Sequence, residues 1–187
     1  VIVFMIAMNI KPYEVKAQEQ GIEKAKNSIV KIYAGTQNTT GSFRKEKSGN
    51  GFIISKVDGH IYIVTNYDVI NIHKKSEKII KVVVHGDTTV TAQPLTESVQ
   101  QNYVILVVEE GLENKKALGI IDKDKKINPV YVLGFDGETG IKYEKTNIKS
   151  VKGNYDDLYN HEIKLTQNLK IEQGGVVIDS KGYLVGI

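Results

Sequence analysis

The sequence predicts an all-β protein built from two tandem antiparallel β units. The first observation is composition: the 187 residues include 24 Ile and 21 Val against 9 Leu and 6 Ala. β-Branched side chains lose rotamer freedom in helices and pack well on pleated strands, so this balance favours strands. The second observation is spacing, because short apolar runs recur between turn residues, as in antiparallel barrels. A hydrophobic content of 41% is enough for a packed core and excludes a disordered chain.

Residues 1–17 are expected to be the remnant of a signal peptide or of a membrane anchor. Val1 to Ile10 are almost all apolar, and Val15 and Ala17 fit a cleavage site between Ala17 and Gln18. This apolar run is too short to span a bilayer by itself. The sequence therefore predicts a secreted or cell-surface protein, with membrane contact only through this segment.

Residues 18–110 are expected to form an N-terminal β-barrel with a short leading helix. Gln18 to Ser28 has helical charge spacing and predicts a surface helix, whereas the Thr-, Ser- and Lys-rich stretch from Gly35 to Asn50 predicts a loop. Asp58-Gly59 between two apolar runs predicts a β-hairpin. The predicted strands are Ile29–Tyr33, Gly51–Ser55, Ile61–Thr65, Lys78–His85, Thr88–Ala92 and Tyr103–Val108.

Residues 111–126, rich in Lys, Glu, Asn and Asp, are expected to link this barrel to a second β unit over residues 127–187. The predicted strands of the second unit are Val130–Gly134, Lys142–Val151, Glu162–Thr166, Val176–Ile178 and Tyr183–Ile187. Domains rarely end inside an apolar strand that needs partners. The second unit is therefore expected to be incomplete.

Charge and residue counts exclude several functional classes. Lys and Arg number 25 against 22 Asp and Glu, and no basic patch is interleaved with aromatics, so a nucleic-acid partner is not expected. The absence of Cys excludes disulfides, thiol nucleophiles and zinc fingers. Asp122-Lys123-Asp124 lacks the Gly and the distal Glu of a calcium loop. The acidic stretch from Gly134 to Gly140 predicts a turn and not a phosphate-binding loop. No metal or cofactor is predicted.

Five segments occur in a defined order: Gly49–Ser55, Val64–Ile70, Asn102–Leu106, Val132–Phe135 and Gln173–Ile187. In order and spacing they resemble bacterial trypsin-like serine proteases, above all the high-temperature-requirement branch. The corresponding motifs of that family are, in order, G-S-G-F-I-I, V-T-N-A-H-V-I, D-L-A-L-L and G-N-S-G-G-P. The resemblance covers residues 22–187 and implies two six-stranded antiparallel β-barrels, the second truncated at the C-terminus.

Residue by residue, the resemblance implies a degenerate catalytic triad. Asp68 occupies the position of the catalytic His, Asn102 that of the Asp, and Gln173 that of the nucleophilic Ser. The glycines after the nucleophile position, Gly174 and Gly175, are retained.

The residues before the nucleophile position depart from the family as well. A Gly and an Asn are replaced by Ile171 and Glu172. A β-branched residue does not adopt the positive φ that glycine reaches, so the oxyanion hole is expected to be altered.

Chemistry independent of the family leads to the same expectation. The Gln173 carboxamide is not a nucleophile, and a carboxylate such as Asp68 is a weak base at neutral pH. Loss of the nucleophile or the base costs on the order of 10⁶ in turnover. An additional hypothesis gives the three residues a structural role, with the Asp68 carboxylate accepting hydrogen bonds from the amides of Asn102 and Gln173 and joining the barrels.

Each of the four histidines is a candidate substitute base. His60 and His85 lie beside Asp-Gly and Gly-Asp turns, which favours exposed loop positions. His73 follows Asp68 by five residues, and His161 lies nearest the specificity pocket that the resemblance implies. His161 and Thr166 are the candidate ligand contacts.

Three functional classes stay open from the sequence alone. The preferred class is an exported pseudoprotease that binds extended peptides or protein partners in the remnant cleft. The alternatives are an active trypsin-like serine endopeptidase with a displaced catalytic centre and a structural extracytoplasmic domain of a longer protein. The oligomeric state is left open.

Overall fold

The computed structural model describes residues 16–72, 78–83, 89–120, 128–137, 140–152, 162–167 and 170–187. The predicted signal or anchor segment therefore lies outside the described residues, apart from positions 16 and 17. Among the helices that the structure describes, none has the length and apolar character needed to cross a membrane.

The first half of the chain forms a closed, six-stranded antiparallel barrel, as predicted. Around the barrel the strands follow the order β1-β2-β3-β6-β5-β4. Their bounds are β1 Ile29–Gln37, β2 Phe43–Val57, β3 His60–Thr65, β4 Ile79–Val83, β5 Thr89–Ser98 and β6 Tyr103–Val108. A short helix, α2, covers Tyr67–Ile70 directly after β3.

The interior of this barrel is filled by apolar side chains from alternate positions of its strands. On β6, Val104, Leu106 and Val108 point inward and are buried, while the residues between them are half-buried. The same alternation on β3 places Ile61 and Ile63 inside. These side chains belong to one hydrophobic cluster of mostly Ile and Val, the stiff side chains that suit a pleated surface.

In the described part of the second half, six further strands form two sheets. Their bounds are β7 Val130–Phe135, β8 Ile141–Thr146, β9 Ile148–Lys152, β10 Glu162–Leu165, β11 Val176–Ile178 and β12 Leu184–Gly186. Four of them form a sheet in the order β12-β11-β7-β8, and β9 pairs with β10. Within the described residues these sheets do not close into a barrel. The all-β, two-unit architecture is confirmed, and its second unit is open.

A second hydrophobic cluster joins the two halves. It includes Phe52 from the first barrel and Leu133 and Val176 from the second half. Helix α1, residues 16–26, adds Ile22 and Ala25 to the same cluster. The prediction of a surface helix is therefore wrong in one respect, because α1 buries one face between the halves.

The loop predicted from Gly35 to Asn50 is also wrong. Most of it belongs to β1 and β2, which pair from Gln37 and Phe43 back to Ile29 and Phe52. The outer part of this hairpin has polar residues on both faces, so it carries no alternation to mark it as strand.

Two smaller boundaries also differ from the prediction. The single strand expected over residues 142–151 is two strands that separate at Asn147. Within the expected linker, Leu112 and Leu118 are buried, and the Leu118 N–H donates to the Ile53 carbonyl at 2.8 Å.

Candidate functional site

The three positions of the expected triad come together around Asn66, the residue before α2. Asp68 lies in α2, Asn102 in the turn before β6, and Gln173 in a turn before β11. The Asn66 Nδ2 donates to the Asn102 carbonyl at 3.0 Å, and the Asn66 Oδ1 accepts from the Gly174 N–H at 2.7 Å. One side chain thus connects all three segments.

Asp68 and Asn102 contact each other through the Asp68 backbone. The Asp68 N–H donates to the Asn102 Oδ1 at 3.1 Å, and Asn102 holds a left-handed φ of 52°, which Asn tolerates well. The Asp68 carbonyl accepts from the Lys47 Nζ at 2.9 Å. In the part of the chain that the structure describes, neither the Asn102 nor the Gln173 amide donates to the Asp68 carboxylate. The hypothesis of a carboxylate-centred cluster is therefore replaced by a network centred on Asn66.

The turn that carries Gln173 is fixed by backbone hydrogen bonds. The Glu172 N–H donates to the Phe135 carbonyl at 3.2 Å, and the Gln173 carbonyl accepts from the Asn50 N–H at 2.7 Å. Gly174 has φ +80°, and a Cβ at this position would lie 2.0 Å from the Asn50 carbonyl oxygen. Only glycine fits both restrictions. Gln173 is exposed, so its carboxamide stands where the turn meets solvent.

Asn50 is a site residue that the sequence reasoning missed. It is fully buried on β2, and its Nδ2 donates to the carbonyls of Glu172 and Phe135 at 2.8 and 3.4 Å. Its Oδ1 accepts from the Phe135 N–H at 2.6 Å, and its carbonyl accepts from the Thr65 Oγ1 at 2.6 Å. Asn50 therefore joins the first barrel to β7 and to the Gln173 turn. The sequence feature that could have indicated Asn50 is an amide side chain between two glycines, directly before an apolar run.

Glu172 and Lys31 form an ion pair between the two halves, which the sequence did not indicate. The Lys31 Nζ lies 2.5 Å from the Glu172 Oε2 and donates to the Gly137 carbonyl at 3.0 Å. The Lys31 side chain is 4% exposed and that of Glu172 is 26% exposed. The Glu172 Oε1 accepts from the Gly137 N–H at 2.9 Å, and the Ser48 Oγ donates to the Oε2 at 3.3 Å. The carboxylate beside Gln173 is thus held by a cation and two further donors.

Ile171 packs into the space beside the same turn. Ideal Cβ atoms on Gly134 and Gly175 would lie 2.6 and 2.8 Å from its Cγ2. Ile171 is not among the non-glycine residues with positive φ in the described chain, which are Asp58 and Asn102. The backbone ahead of Gln173 therefore differs from the glycine conformation that the resemblance implies.

No serine–histidine pair is present among the residues that the structure describes. His60 is exposed at the start of β3, at the opposite end of that strand from Thr65, and its Nδ1 lies 3.1 Å from the Asp58 carbonyl. Ser48 is the serine that contacts the turn, and its partner is the Glu172 carboxylate.

The other sequence candidates are only partly visible. His73, His85 and His161 lie outside the described residues. Thr166 is exposed, its hydroxyl lies 3.1 Å from that of Thr146, and among the described residues no hydrogen bond joins it to the Gln173 turn. In the described ranges, no group of three or more His, Cys, Asp or Glu residues is arranged to hold a metal ion.

One titratable group near the turn has a shifted pKa. A hydrogen bond and the positive charge of Lys142 lower the pKa of the Asp136 carboxyl, with smaller effects from Lys170 and Lys31. The Lys142 Nζ lies 2.7 Å from the Asp136 Oδ2. This exposed pair lies at the strand end next to Gly137, whose backbone contacts the Lys31–Glu172 pair.

Comparison with protein families identifies this arrangement. A family model described as a trypsin-like peptidase domain matches residues 49–187. That range contains Asn50, α2, Asn102 and the Gln173 turn. Comparison with curated proteins finds no significant match.

Proposed function

The chain belongs to the trypsin-like peptidase domain family, and we propose that it is a catalytically inactive member that binds extended peptides in the cleft between its two halves. The observation that carries this proposal is the carboxamide of Gln173 at the nucleophile position. Acyl transfer in this family needs a hydroxyl, a base within hydrogen-bond reach and a carboxylate that orients the base. Asp68 and Asn102 at the other two positions supply neither an imidazole nor its carboxylate partner.

The site keeps its framework while it lacks the reactive groups. Asn66 still joins α2 to the Asn102 turn and to Gly174, and Asn50 still holds the backbone of the Gln173 turn. An ordered framework without a nucleophile supports the proposal of binding without turnover. Extended peptides are the class of ligand that suits a cleft lined by strands, because main-chain hydrogen bonds supply affinity and side-chain pockets supply selectivity.

A fluorophosphonate probe and a casein digest test the inactivity. We expect no labelling and no proteolysis by the full chain, since loss of nucleophile or base costs on the order of 10⁶ in rate. Labelling that disappears when one serine is changed, Ser48 being the first to test, would contradict the proposal.

A variant series examines the reason for inactivity. The triple variant Asp68→His, Asn102→Asp, Gln173→Ser is expected to give little activity, because Ile171 still occupies the space beside the turn. Adding Ile171→Gly to the triple variant is the matched comparison. Strong proteolysis by the triple variant alone would show that Ile171 does not impair the oxyanion hole.

Peptide binding is tested separately with an array of extended peptides and the full chain. Retention of a subset of peptides, weakened by Gln173→Trp in the cleft and unchanged by Lys116→Gln on the distant loop, is the expected result. A chain that retains no peptide would favour a purely structural role.

We also propose that the protein is exported. The support is the apolar stretch of residues 1–10 followed by Val15 and Ala17. Fractionation of producing cells, with N-terminal sequencing of the product, tests this. Recovery in the cytoplasm with residues 1–17 intact would contradict it.

A further inference from the structure

Two side chains at the triad-equivalent positions, the Asp68 carboxylate and the Gln173 carboxamide, are not used by the fold. Both residues are exposed. Across the described ranges of the chain, neither of these side-chain groups takes part in a hydrogen bond or an ion pair, and the hydrogen bonds of both residues are made by the main chain. One anionic group and one amide are therefore open to a ligand where the Asn66 side chain joins the two halves.

The main chain around each of these groups is held in place. The Asp68 N–H donates to the Asn102 Oδ1 at 3.1 Å, and the Asp68 carbonyl accepts from the Lys47 Nζ at 2.9 Å. The Gln173 carbonyl accepts from the Asn50 N–H at 2.7 Å. Because these segments are fixed before a ligand arrives, binding orders little beyond the two side chains, and its entropic cost is lower.

The Asp68 carboxylate keeps its charge available, because the charged groups near it are bound elsewhere. The Glu172 carboxylate is paired with the Lys31 ammonium. The Lys47 ammonium binds the Asp68 carbonyl oxygen, and it forms no ion pair with any carboxylate in the described part of the chain. A cationic side chain of a ligand therefore meets an unpaired carboxylate at Asp68 and a neutralised one at Glu172.

The two groups define the chemistry of the ligand. A carboxylate attracts a Lys ammonium or an Arg guanidinium, whereas a carboxamide both donates and accepts and so matches the C=O and N–H of a peptide main chain. A catalytic base at position 68 has to keep its lone pair for proton transfer. Asp68 does not have this task in the proposed inactive chain, so its charge can serve recognition.

We propose that Asp68 and Gln173 select extended peptides that carry a Lys or Arg side chain, which binds the Asp68 carboxylate while the neighbouring peptide main chain binds the Gln173 carboxamide. This inference rests on the proposed peptide-binding function and names the chemistry of the ligand. The net charge of +3 on the whole chain favours acidic ligands at long range. A preference for a basic residue therefore has to come from the local contact with Asp68.

Fluorescence anisotropy with the full chain tests the inference. The probe is a fluorescein-labelled peptide of about twelve residues, spanning about 40 Å when extended, that alternates Thr and Gln and carries one central Lys. Two control peptides have Gln or Glu in place of that Lys. We expect the Lys peptide to bind about threefold to fivefold more tightly than the Gln peptide, and the Glu peptide to bind most weakly. The advantage of the Lys peptide is expected to shrink as salt is added.

Variants at position 68 isolate the charge. Asp68→Asn is expected to abolish the advantage of the Lys peptide and to leave the affinity for the Gln peptide unchanged, whereas Asp68→Lys is expected to make the Glu peptide the tightest ligand. The matched control is Asp58→Asn, the same change at an exposed Asp in the β2–β3 turn, which is expected to keep the advantage. Asn is compatible with the φ of 51° at Asp58.

Gln173→Ala tests the second contact. We expect it to weaken the binding of all three peptides by a similar factor, about twofold to tenfold, because their main chains are the same. The hydrogen bonds of the turn do not use the removed side chain, so the turn is expected to persist. Unchanged affinities in this variant would overturn the assignment of Gln173.

The comparison of the three peptides on the unaltered chain keeps the test valid even where a variant fails to fold. Equal binding of the Lys and Gln peptides would overturn the selection by Asp68 and leave the proposed peptide-binding function standing. An advantage of the Lys peptide that persists in Asp68→Asn would belong to another carboxylate and would overturn it as well. Failure of all three peptides, with none retained on the array, would remove both the inference and the proposed function.

Discussion

Replacing Glu172 by Gln is the sharpest test of how the two halves are held together. Gln has nearly the same shape and retains an oxygen that can accept from the Gly137 N–H. The change removes the negative charge that lies 2.5 Å from the Lys31 ammonium. The remaining partners of the Lys31 ammonium are the Gly137 carbonyl at 3.0 Å and the Phe135 ring at 5.6 Å. Neither of these two groups carries a formal charge.

The magnitude follows from the unequal burial of the pair. Leaving one member of a fully buried ion pair without its partner costs about 3–5 kcal/mol. Because the Glu172 side chain is 26% exposed, water reaches part of the pair, and we expect Glu172→Gln to lower the free energy of unfolding by about 2–3 kcal/mol. Lys31→Met leaves the more exposed partner behind, so its expected cost is smaller, about 1–2 kcal/mol.

Urea unfolding of the single and double variants forms the test. We expect the double variant Lys31→Met, Glu172→Gln to lose about 1–2 kcal/mol less than the sum of the single losses, which is the coupling of the pair. Ser48→Ala, which removes the longest of the contacts to the carboxylate, is the matched control with an expected loss below about 0.5 kcal/mol. Equal losses for Glu172→Gln and Ser48→Ala, or strict additivity in the cycle, would refute the reasoning.

The remaining predictions concern the framework and its pH dependence. Asn50→Ala leaves buried backbone groups without partners and should cost about 3–5 kcal/mol in thermal or urea unfolding, so a loss below about 1 kcal/mol would contradict the described role. Gly174→Ala combines φ +80° with a close contact and should destabilise the chain, and a crystal structure with an unchanged turn would disprove the steric argument. Because Lys142 lowers the pKa of Asp136 in the folded state, the stability it adds is present above the ordinary carboxyl pKa of about 4 and is lost as pH falls through the lowered value. Lys142→Gln should therefore flatten the acid side of the stability–pH profile, and an identical profile would count against the pair.

Sequence patterns predicted the alternating strand β6 and missed the outer half of β2, which does not alternate. The run Tyr103–Val108 was predicted with the bounds that β6 has, because alternate residues of this strand are buried. The outer half of β2 extends past the barrel and has no apolar side to mark it. The partners of α1 could not be predicted from the sequence either. The Ser180 carbonyl oxygen lies 2.5 Å from where a Cβ on Gly21 would stand, although these two residues are far apart in sequence.

The resemblance predicts three positions of the candidate site, and the hydrogen bonds around them could not be predicted. Resemblance located Asp68, Asn102 and Gln173, and the structure brings their segments together. The side chains that join these segments are Asn66 and Asn50, whose partners come from turns and strands far along the chain. Amides carry no charge pattern or periodicity that marks such partners, so this part of the site required coordinates.

The hydrogen bonds also explain how the turn before β11 is held independently of the side chains at the triad-equivalent positions. In the turn before β11, the Gln173 carbonyl accepts from the Asn50 N–H, and the Gly174 N–H donates to the Asn66 side chain. The Asn50 side chain donates to the Glu172 carbonyl. None of these bonds uses the Gln173 side chain, and Asp68 takes part through its N–H and carbonyl. Substitution at these two positions is therefore expected to cost little folding free energy, since a reacting group stabilises the transition state of a reaction and not the fold. Such a framework is what the proposed binding role requires, because the turn keeps these hydrogen bonds whichever side chains occupy positions 68 and 173.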